Sequence, residues 1–486
     1  MDNTIGEPMD ISQTIANEVA GLLSGNEFYS AYRDRYQFLY ESYIGGEEYR
    51  LAGHLTKYQL ESGGEYQHRL NTTPLENHCR SVIQVYNSFL FRTPPERELG
   101  TLERNPLTAD FLEDCDHDGR SLDAFMRECS TWSSVFGQVW VMVVKPNLDA
   151  VTLAEELDME SRPYLNMLTP LAVTDWQYMR KPNGKYKLDY FKYIEDINGD
   201  VRTIKEWYPD MIITTLVDTE KNNIINREEE INQLGYIPAV CVYNARSTVR
   251  GIGLSDITDI ADAQKMIYNA TSEAIESIKL DTHPSLVATP ETNVGTGAGA
   301  LIHMPENLDP GLKPYALEFS GASIESIYKH INHTIDAIDK MANTGAVRAT
   351  ESRTMSGVAM ETEFQLLNAR LSEKADAMEL AEEQIWKFFA EYSNTEWTGS
   401  IDYPGSFNIR DTSAEIQQLR TAKESASSPQ LMAEIDRKIM EWLEIEEPLE
   451  FQPHIMVNPQ TGEQVVAQTE AEHLALAAQG YTHLGE

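Results

Sequence analysis

Residues 321–392 read GASIESIYKHINHTIDAIDKMANTGAVRATESRTMSGVAMETEFQLLNARLSEKADAMELAEEQIWKFFAEY, two helical patterns joined by a loop short of bulky residues. In the first, Ile324, Ile327, Ile331, Ile335 and Ile338 recur at steps of three and four. In the second, Met360, Phe364, Leu367, Leu371, Met378, Ile385, Phe388 and Tyr392 do the same, with Ala375 filling one step. Steps of that size put side chains on one face of an α-helix. No Pro or Gly interrupts Val358 to Tyr392, which predicts roughly 50 Å of helix at 1.5 Å per residue. The loop between them, Asn343 to Gly357, is rich in Thr, Ser, Ala and Gly and carries Arg348 and Arg353. A loop of this length inside a packed domain is functional or disordered, and the reading here is functional.

Composition bounds the function classes. The 486 residues suggest about three domains, and a hydrophobic fraction of 41% suffices for packed cores. Against 39 Lys and Arg stand 77 Asp and Glu, a formal charge of -38. A broad nucleic-acid-binding surface needs the opposite sign, because cations must replace the counterions around phosphate. Cys79, Cys115, Cys129 and Cys241 form no CxxC pair and read as reduced thiols of a cytoplasmic chain. The acidic start MDNTIGEPMD has no signal-peptide pattern, and no apolar run approaches the roughly 18 residues of a membrane helix. A soluble protein made in a cytoplasm is expected, with no membrane partner.

Working outward, Ile11 to Leu23 predicts a short amphipathic helix capped by Asp10 or Ser12. In EFYSAYRDRYQFLYESYIGGEEY (27–49), tyrosines at helical spacing end at Gly45-Gly46. A helix over about Pro74 to Phe91 stops at Thr93-Pro94-Pro95, and another is expected over Leu122 to Phe136. From Gln138 the period changes to strands. QVWVMVVKP is a buried run, and Asn183-Gly184 and Asn198-Gly199 are hairpin turns in an antiparallel sheet ending at IPAVCVY. Asp256 to about Leu280 predicts a long helix with Asp256, Asp259 and Asp262 as an acidic row. Short strands SLVAT and ALIHM flank NVGTGAG, read as a hairpin tip because that glycine run precedes a strand. Ser413 to Glu446 and about Ala467 to Ala478 are expected to be helical. The fold class is α+β.

Few motifs in the chain carry chemistry. Asp114, Asp116, Asp118 and Gly119 open like a calcium loop, but Phe125 stands where a bidentate Glu belongs, so an acidic helix-capping turn is the better reading. Cys115, His117 and Cys129 lack a second ligand pair for zinc. His330 and His333 with Asp336 read as surface polar groups and not as a metal site. The Gly251-Ile252-Gly253 segment after a strand lacks the third small residue of a dinucleotide fingerprint, since Asp256 stands there. No nucleophile or general base is identifiable, and neither an enzyme nor a cofactor is expected.

The order of the pieces carries a resemblance. NSFLFRTPPE (87–96), DHDGRSLDAFMRECSTWSSVFGQVWVMVVKP (116–146), LGYIPAVCVYN (234–244), GIGLSDITDIADAQKMIYNATSEA (251–274) and TESRTMSGVAMETEFQLLNARLSEKADAMELAEEQIWKFF (350–389) together resemble the portal, or head-to-tail connector, proteins of tailed bacteriophages. The likeness covers most of Glu27 to Tyr392. It implies a portal fold with long stem and wing helices, an antiparallel β-rich wing, a small β-containing clip and a helical C-terminal crown.

Carried onto this chain, 1–250 becomes arm and wing, 251–281 and 321–342 the two stem helices, 282–320 the clip, 343–357 the tunnel loop, 358–410 the long wing helix and its return, and 411–486 the crown. The resemblance also implies a homo-oligomeric ring, dodecameric in the virion, at one capsid vertex and assembled in the host cytoplasm. Double-stranded DNA passes through non-specifically, and the partners are a terminase packaging ATPase, a tail adaptor, and the major capsid and scaffolding proteins. Arg348, Thr350, Arg353 and Thr354 are then the DNA-contacting loop residues, and Asp256, Asp259 and Asp262 the channel-facing acids.

Charge argues in the same direction, because an acidic bore repels duplex DNA weakly everywhere and lets it slide. Arg348 and Arg353 either touch phosphate without sequence readout or pair with Glu351 or a neighbouring subunit's acids. The isoleucine stripe is read as partly inter-subunit, with an intrachain helical bundle as the alternative. The competing functions are an acidic structural or scaffold-associated capsid protein without a DNA channel, and a calcium- or metal-dependent enzyme built around Asp114 to Asp118.

Overall fold

Side-chain caps open several helices in the computed structural model, which describes residues 11–146, 161–282, 321–348 and 357–407, with short pieces between 285 and 317 and between 423 and 483. Helix α1 (Ile11–Leu23) has the predicted bounds. Asn26 accepts from the Tyr29 N–H to start α2 (Glu27–Ile44), and Gly45, at φ 65°, ends it. Two short helices that periodicity did not reveal follow, α3 (Gly46–Leu51) and α4 (Gly63–Thr72), the latter opened by a Ser62/Glu65 capping box. The predicted Pro74 helix begins later, as α5 (His78–Leu90), because Asn77 caps it. Next come strand β1 (Glu96–Glu98), α6 (Pro106–Glu113) and α7 (Leu122–Phe136), the last running from cap Ser121 to the left-handed Gly137.

Strands β2 (Gln138–Val144), β3 (Tyr164–Leu168), β4 (Val173–Arg180), β5 (Tyr186–Asn198), β6 (Val201–Trp207), β7 (Met211–Asp218), β8 (Asn223–Ile231) and β9 (Ala239–Tyr243) make two sheets, where the sequence suggested one. The five-stranded sheet is the meander β4-β5-β6-β7-β8, turning at Gly184 and Gly199 with positive φ as predicted. Strand β9 leaves it and pairs antiparallel with β2, whose other neighbour is β3.

The burial of β2 explains its unbroken apolar run. Val139, Val141 and Val143 face a large helical core, while Trp140 and Met142 face the five-stranded sheet at Val173, Phe191 and Trp207. A strand covered on both faces shows no polar alternation. The outer face of the large sheet is closed by α1, through Val19 and Leu22 on Ile204 and Val217. Buried Lys192 holds α1 in place by donating to the Gly21 and Ser24 carbonyls at its C-terminus.

Four helices complete this unit: α8 (Thr258–Thr282), α9 (Ala322–Ala342), α10 (Gly345–Arg348) and α11 (Gly357–Tyr392). At 36 residues, α11 spans roughly 54 Å. Between α8 and α9, strand β10 (Ser285–Val287) pairs with β13 (Tyr315–Leu317), and β11 (Asn293–Val294) with β12 (Ile302–His303). The glycine run beyond Val294 lies outside the described residues. After α11, β14 (Ser400–Asp402) returns to pair with β1.

The chain divides into two compact units, Met1–Phe407 and Asn408–Glu486. In the second, the described residues include a three-stranded antiparallel sheet that the sequence did not suggest. It comprises β15 (His454–Val457), β16 (Gln464–Ala467) and β17 (Thr482–His483). Ala467, expected to begin a helix, ends a strand. Most of the expected helix 413–446 lies outside the described residues.

The Gly-x-Gly segment has a packing explanation. A Cβ on Gly253 would lie 2.0 Å from the Gly137 carbonyl oxygen, so two backbones cross there with no room for a side chain. The Gly253 N–H donates to Gln138 Oε1 at 2.8 Å, and the Asn244 N–H to the Gly137 carbonyl at 2.8 Å. Gly251 takes φ 83° against the Trp176 indole. This crossing sets the position from which α8 departs.

Candidate functional site

Helices α8 and α9 pack side by side. The α8 residues Ile260, Ala261, Ile267 and Ala270 share one core with Ile331 and Ile338 of α9 and with Leu367, Leu371 and Ala375 of α11. Ile327 and Ile335 pack against the same core. The isoleucine stripe is therefore consumed largely within the chain, which favours the intrachain bundle over an inter-subunit seam. Beside α8 the small helices form a clamp: Tyr49, Leu55 and Leu70 pack on Tyr268. Within the clamp Arg69, stacked 3.8 Å over Tyr58, bonds Glu61 at 2.6 Å and Ser272 at 2.9 Å.

The acidic row does not share one environment. Asp256 lies before the first turn of α8, and its side chain is 3% exposed. Its carboxylate is held by Lys374 at 2.5 Å, by Arg370 at 2.7 Å and by the Asn244 amide at 3.0 Å. Burial alone would raise its pKa, but Lys374 and Arg370 together hold it below the usual carboxylate range. The expectation that Asp256 faces a channel is thus corrected: it ties the entry of α8 to α11. Lys374, 3% exposed, also donates to Ser134 at 2.8 Å, and burial pushes its ammonium below the ordinary lysine range. Asp262 is exposed yet bound by Arg35 of α2 through both oxygens, at 2.9 and 3.1 Å. Asp259 is exposed.

At the far end of α9, Asn343 takes the left-handed conformation and caps the helix. The chain then makes the single turn α10. Arg348, expected in the exposed loop, is anchored instead: its guanidinium lies 2.7 Å from Asp339 and donates to His78 Nδ1 at 2.8 Å. Its side chain is only 11% exposed, which removes it from the DNA-contacting set. The acid it meets lies nine positions earlier, on α9. Burial first, then the adjacent Arg348 charge, push His78 down to about 4, so the ring is neutral and its Nδ1 accepts. Beside it the Tyr86 hydroxyl donates to the Ala342 carbonyl at 2.6 Å. The loop base is therefore tied to α5. Thr350, Arg353 and Thr354 lie outside the described residues.

The calcium-loop pattern is closed by protein groups. Asp114 accepts from the Gly119 N–H and from Arg162, and Asp116 accepts from the Asp118 and Arg120 N–H groups and from the Arg120 guanidinium. Among the described residues no group of three or more His, Cys, Asp or Glu could hold a metal. His330 and His333 are both exposed. Among the described residues no helix is long and apolar enough to cross a membrane.

A helix pair, a loop rooted at one end and a β-rich flank match one family in sequence: the model described as phage portal protein, SPP1 Gp6-like, spans residues 27–422. The chain belongs to that family. It is accordingly a portal protein, of the head-to-tail connector type, and the α+β portal fold inferred from its motifs is the fold it has. No curated protein matches this portal chain in sequence.

Three solved chains are similar to it in fold. One, from the neck of an empty GTA particle computed with C6 symmetry, aligns at TM-score 0.42 and 11% identity over 81% of this chain and 99% of its own. A second, from the virion of a native gene transfer agent particle, gives 0.43 and 11% over 80% and 97%. A third, from the neck of a native GTA particle computed with C12 symmetry, gives 0.41 and 11% over 74% and 89%.

The residues that sequence missed are His78, Asp339, Arg370 and Lys374. Asp339 and Lys374 occupy helical positions beside apolar neighbours, a weak signal. Nothing in the sequence marks their partners.

Proposed function

We propose that copies of this chain close into a ring, twelve in the virion, and that the ring conducts double-stranded DNA at one capsid vertex during packaging, retention and ejection. The observation that carries this reading is the family match over residues 27–422, which takes in α8, α9, the loop after them and α11 together. Charge supports it: at -38 per chain, the wall repels a polyanion over most of its area and gives it no place to bind. Arg353, Thr350 and Thr354 make the passing phosphate contacts in the loop, while Arg348 holds the loop's root. Of the acidic row, Asp259 is the member left to face the channel. The clip engages the terminase packaging ATPase and later the tail adaptor, and the outer surface meets the major capsid and scaffolding proteins. Assembly takes place in the host cytoplasm.

The loop assignment is tested by Arg353→Ala in particles assembled in a packaging reaction. Packaged or retained DNA is expected to fall while ring formation stays normal. Normal packaging and retention in that variant would contradict the assignment.

A further inference from the structure

Because the isoleucine stripe is largely spent inside the chain, charged surfaces become candidates for contact between copies. The two edges of the five-stranded sheet differ sharply in charge. Strand β8, at one edge, carries Glu228, Glu229 and Glu230 in succession, all exposed, between exposed Ile225 and Ile231. Three acids in a row place carboxylates on both faces of the strand. The neighbouring cation Arg227 is already paired with Glu18 at 2.8 Å.

Strand β4 forms the opposite edge, four strand steps or roughly 19 Å away. Around it gather Arg180, Lys187, Arg246 and Arg250, all exposed. Each is laid against an aromatic ring: Arg250 at 3.8 Å and Arg180 at 5.9 Å from Tyr186, Arg246 at 5.2 Å from Tyr243, and Lys187 at 5.4 Å from Tyr236. An open cavity of about 310 Å³ lies among Tyr186, Lys187, Arg246 and Arg250, with Glu391 on its wall engaged by the Tyr236 hydroxyl. Among the described residues none of the four cations forms an ion pair. That is unusual in a chain with twice as many acids as bases. Aromatic stacking fixes two guanidinium planes in advance, which lowers the ordering cost of binding a carboxylate.

We infer that the acidic edge strand β8 of one copy docks on the cation–aromatic patch around Arg246 and Arg250 of the next. This contact rests on the ring reading above. A second copy suits the patch better than DNA does, because the complementary surface lies at the opposite edge of the same sheet. A head-to-tail contact that closes a ring needs two different surfaces on each copy. The contact consists of exposed charges and is therefore sensitive to salt.

The test uses the full chain in three charge-swapped forms: Arg246→Glu with Arg250→Glu, then Glu228→Lys with Glu229→Lys and Glu230→Lys, then all five together. Sedimentation at low and high salt reads ring assembly, and circular dichroism reads folding. Each partial set should raise the concentration needed for assembly at least about tenfold, and the five-fold swap should restore it to within about threefold of wild type. The β8 set sits on an exposed edge, so it reports even where the arginine set fails to fold. Wild-type rings untouched by the β8 set would overturn this contact alone, leaving the glutamates as guards of a free edge. Loss of packaged DNA with unaltered rings in the arginine set would assign the patch to DNA and overturn it as well. A wild-type chain that stays monomeric would overturn the ring, and this contact with it.

Discussion

Arg348 closes on Asp339 at 2.7 Å with both side chains less than 15% exposed, so the first residues after α9 are locked to α9 itself. Removing one member of such a pair strands the other charge in a low-dielectric site. Arg348→Ala should therefore destabilise the chain by about 3 kcal/mol, and adding Asp339→Asn should recover part of that loss. Chemical denaturation of the single and double variants measures both. Equal losses in the two would show that an unpaired Asp339 carries no penalty and would contradict the prediction.

His78 gives that lock a pH dependence. Its folded pKa of about 4 lies below the ordinary value of 6.5, so the unfolded chain takes up this proton first as pH falls. The stability from the neutral ring is complete above pH 6.5, declines between about 6.5 and 4, and levels off below, an upper bound of about 3 kcal/mol. Facing groups are Arg348 at Nδ1 and the mostly exposed Glu76, 3.5 Å from Nε2. Because the acids of the chain titrate over the lower part of this window, the measurement is the difference between wild type and His78→Gln. The wild type should lose more stability on going from pH 7 to pH 4.5, and parallel curves would contradict the prediction.

Lys374 and Asp256 hold the entry of α8 against α11, each 3% exposed. Lys374→Met leaves Asp256 with Arg370 as its remaining cation and should cost about 3–5 kcal/mol. Asp256→Asn on the same background should restore more than it costs in the wild type, giving a coupling above about 1 kcal/mol in a double-mutant cycle. Additive losses would mean that the two ends of this contact act independently.

Local signals sufficed for α1, α7 and α11, whose bounds follow from caps, a terminal glycine or an unbroken apolar period. They sufficed also for the Gly184 and Gly199 turns. Strand β9 looked like the end of the large meander because sequence order does not state which sheet edge a strand joins. Asp256 looked like one of a helical row, yet it precedes the helix and meets a lysine from a distant segment. Arg348 looked exposed among small residues, although one turn of helix is enough to fold it back on Asp339. Helices α3 and α4 are too short and polar to show a period, yet they clamp α8 through Arg69.

The central claim, an annular conduit built from many copies of this acid-rich chain, is tested most directly by particle images and native mass of the purified protein. The account predicts rings with an open centre and a mass that is an integer multiple of 55.0 kDa. A lone subunit at high concentration, with no annular particles even in assembled heads, would contradict it.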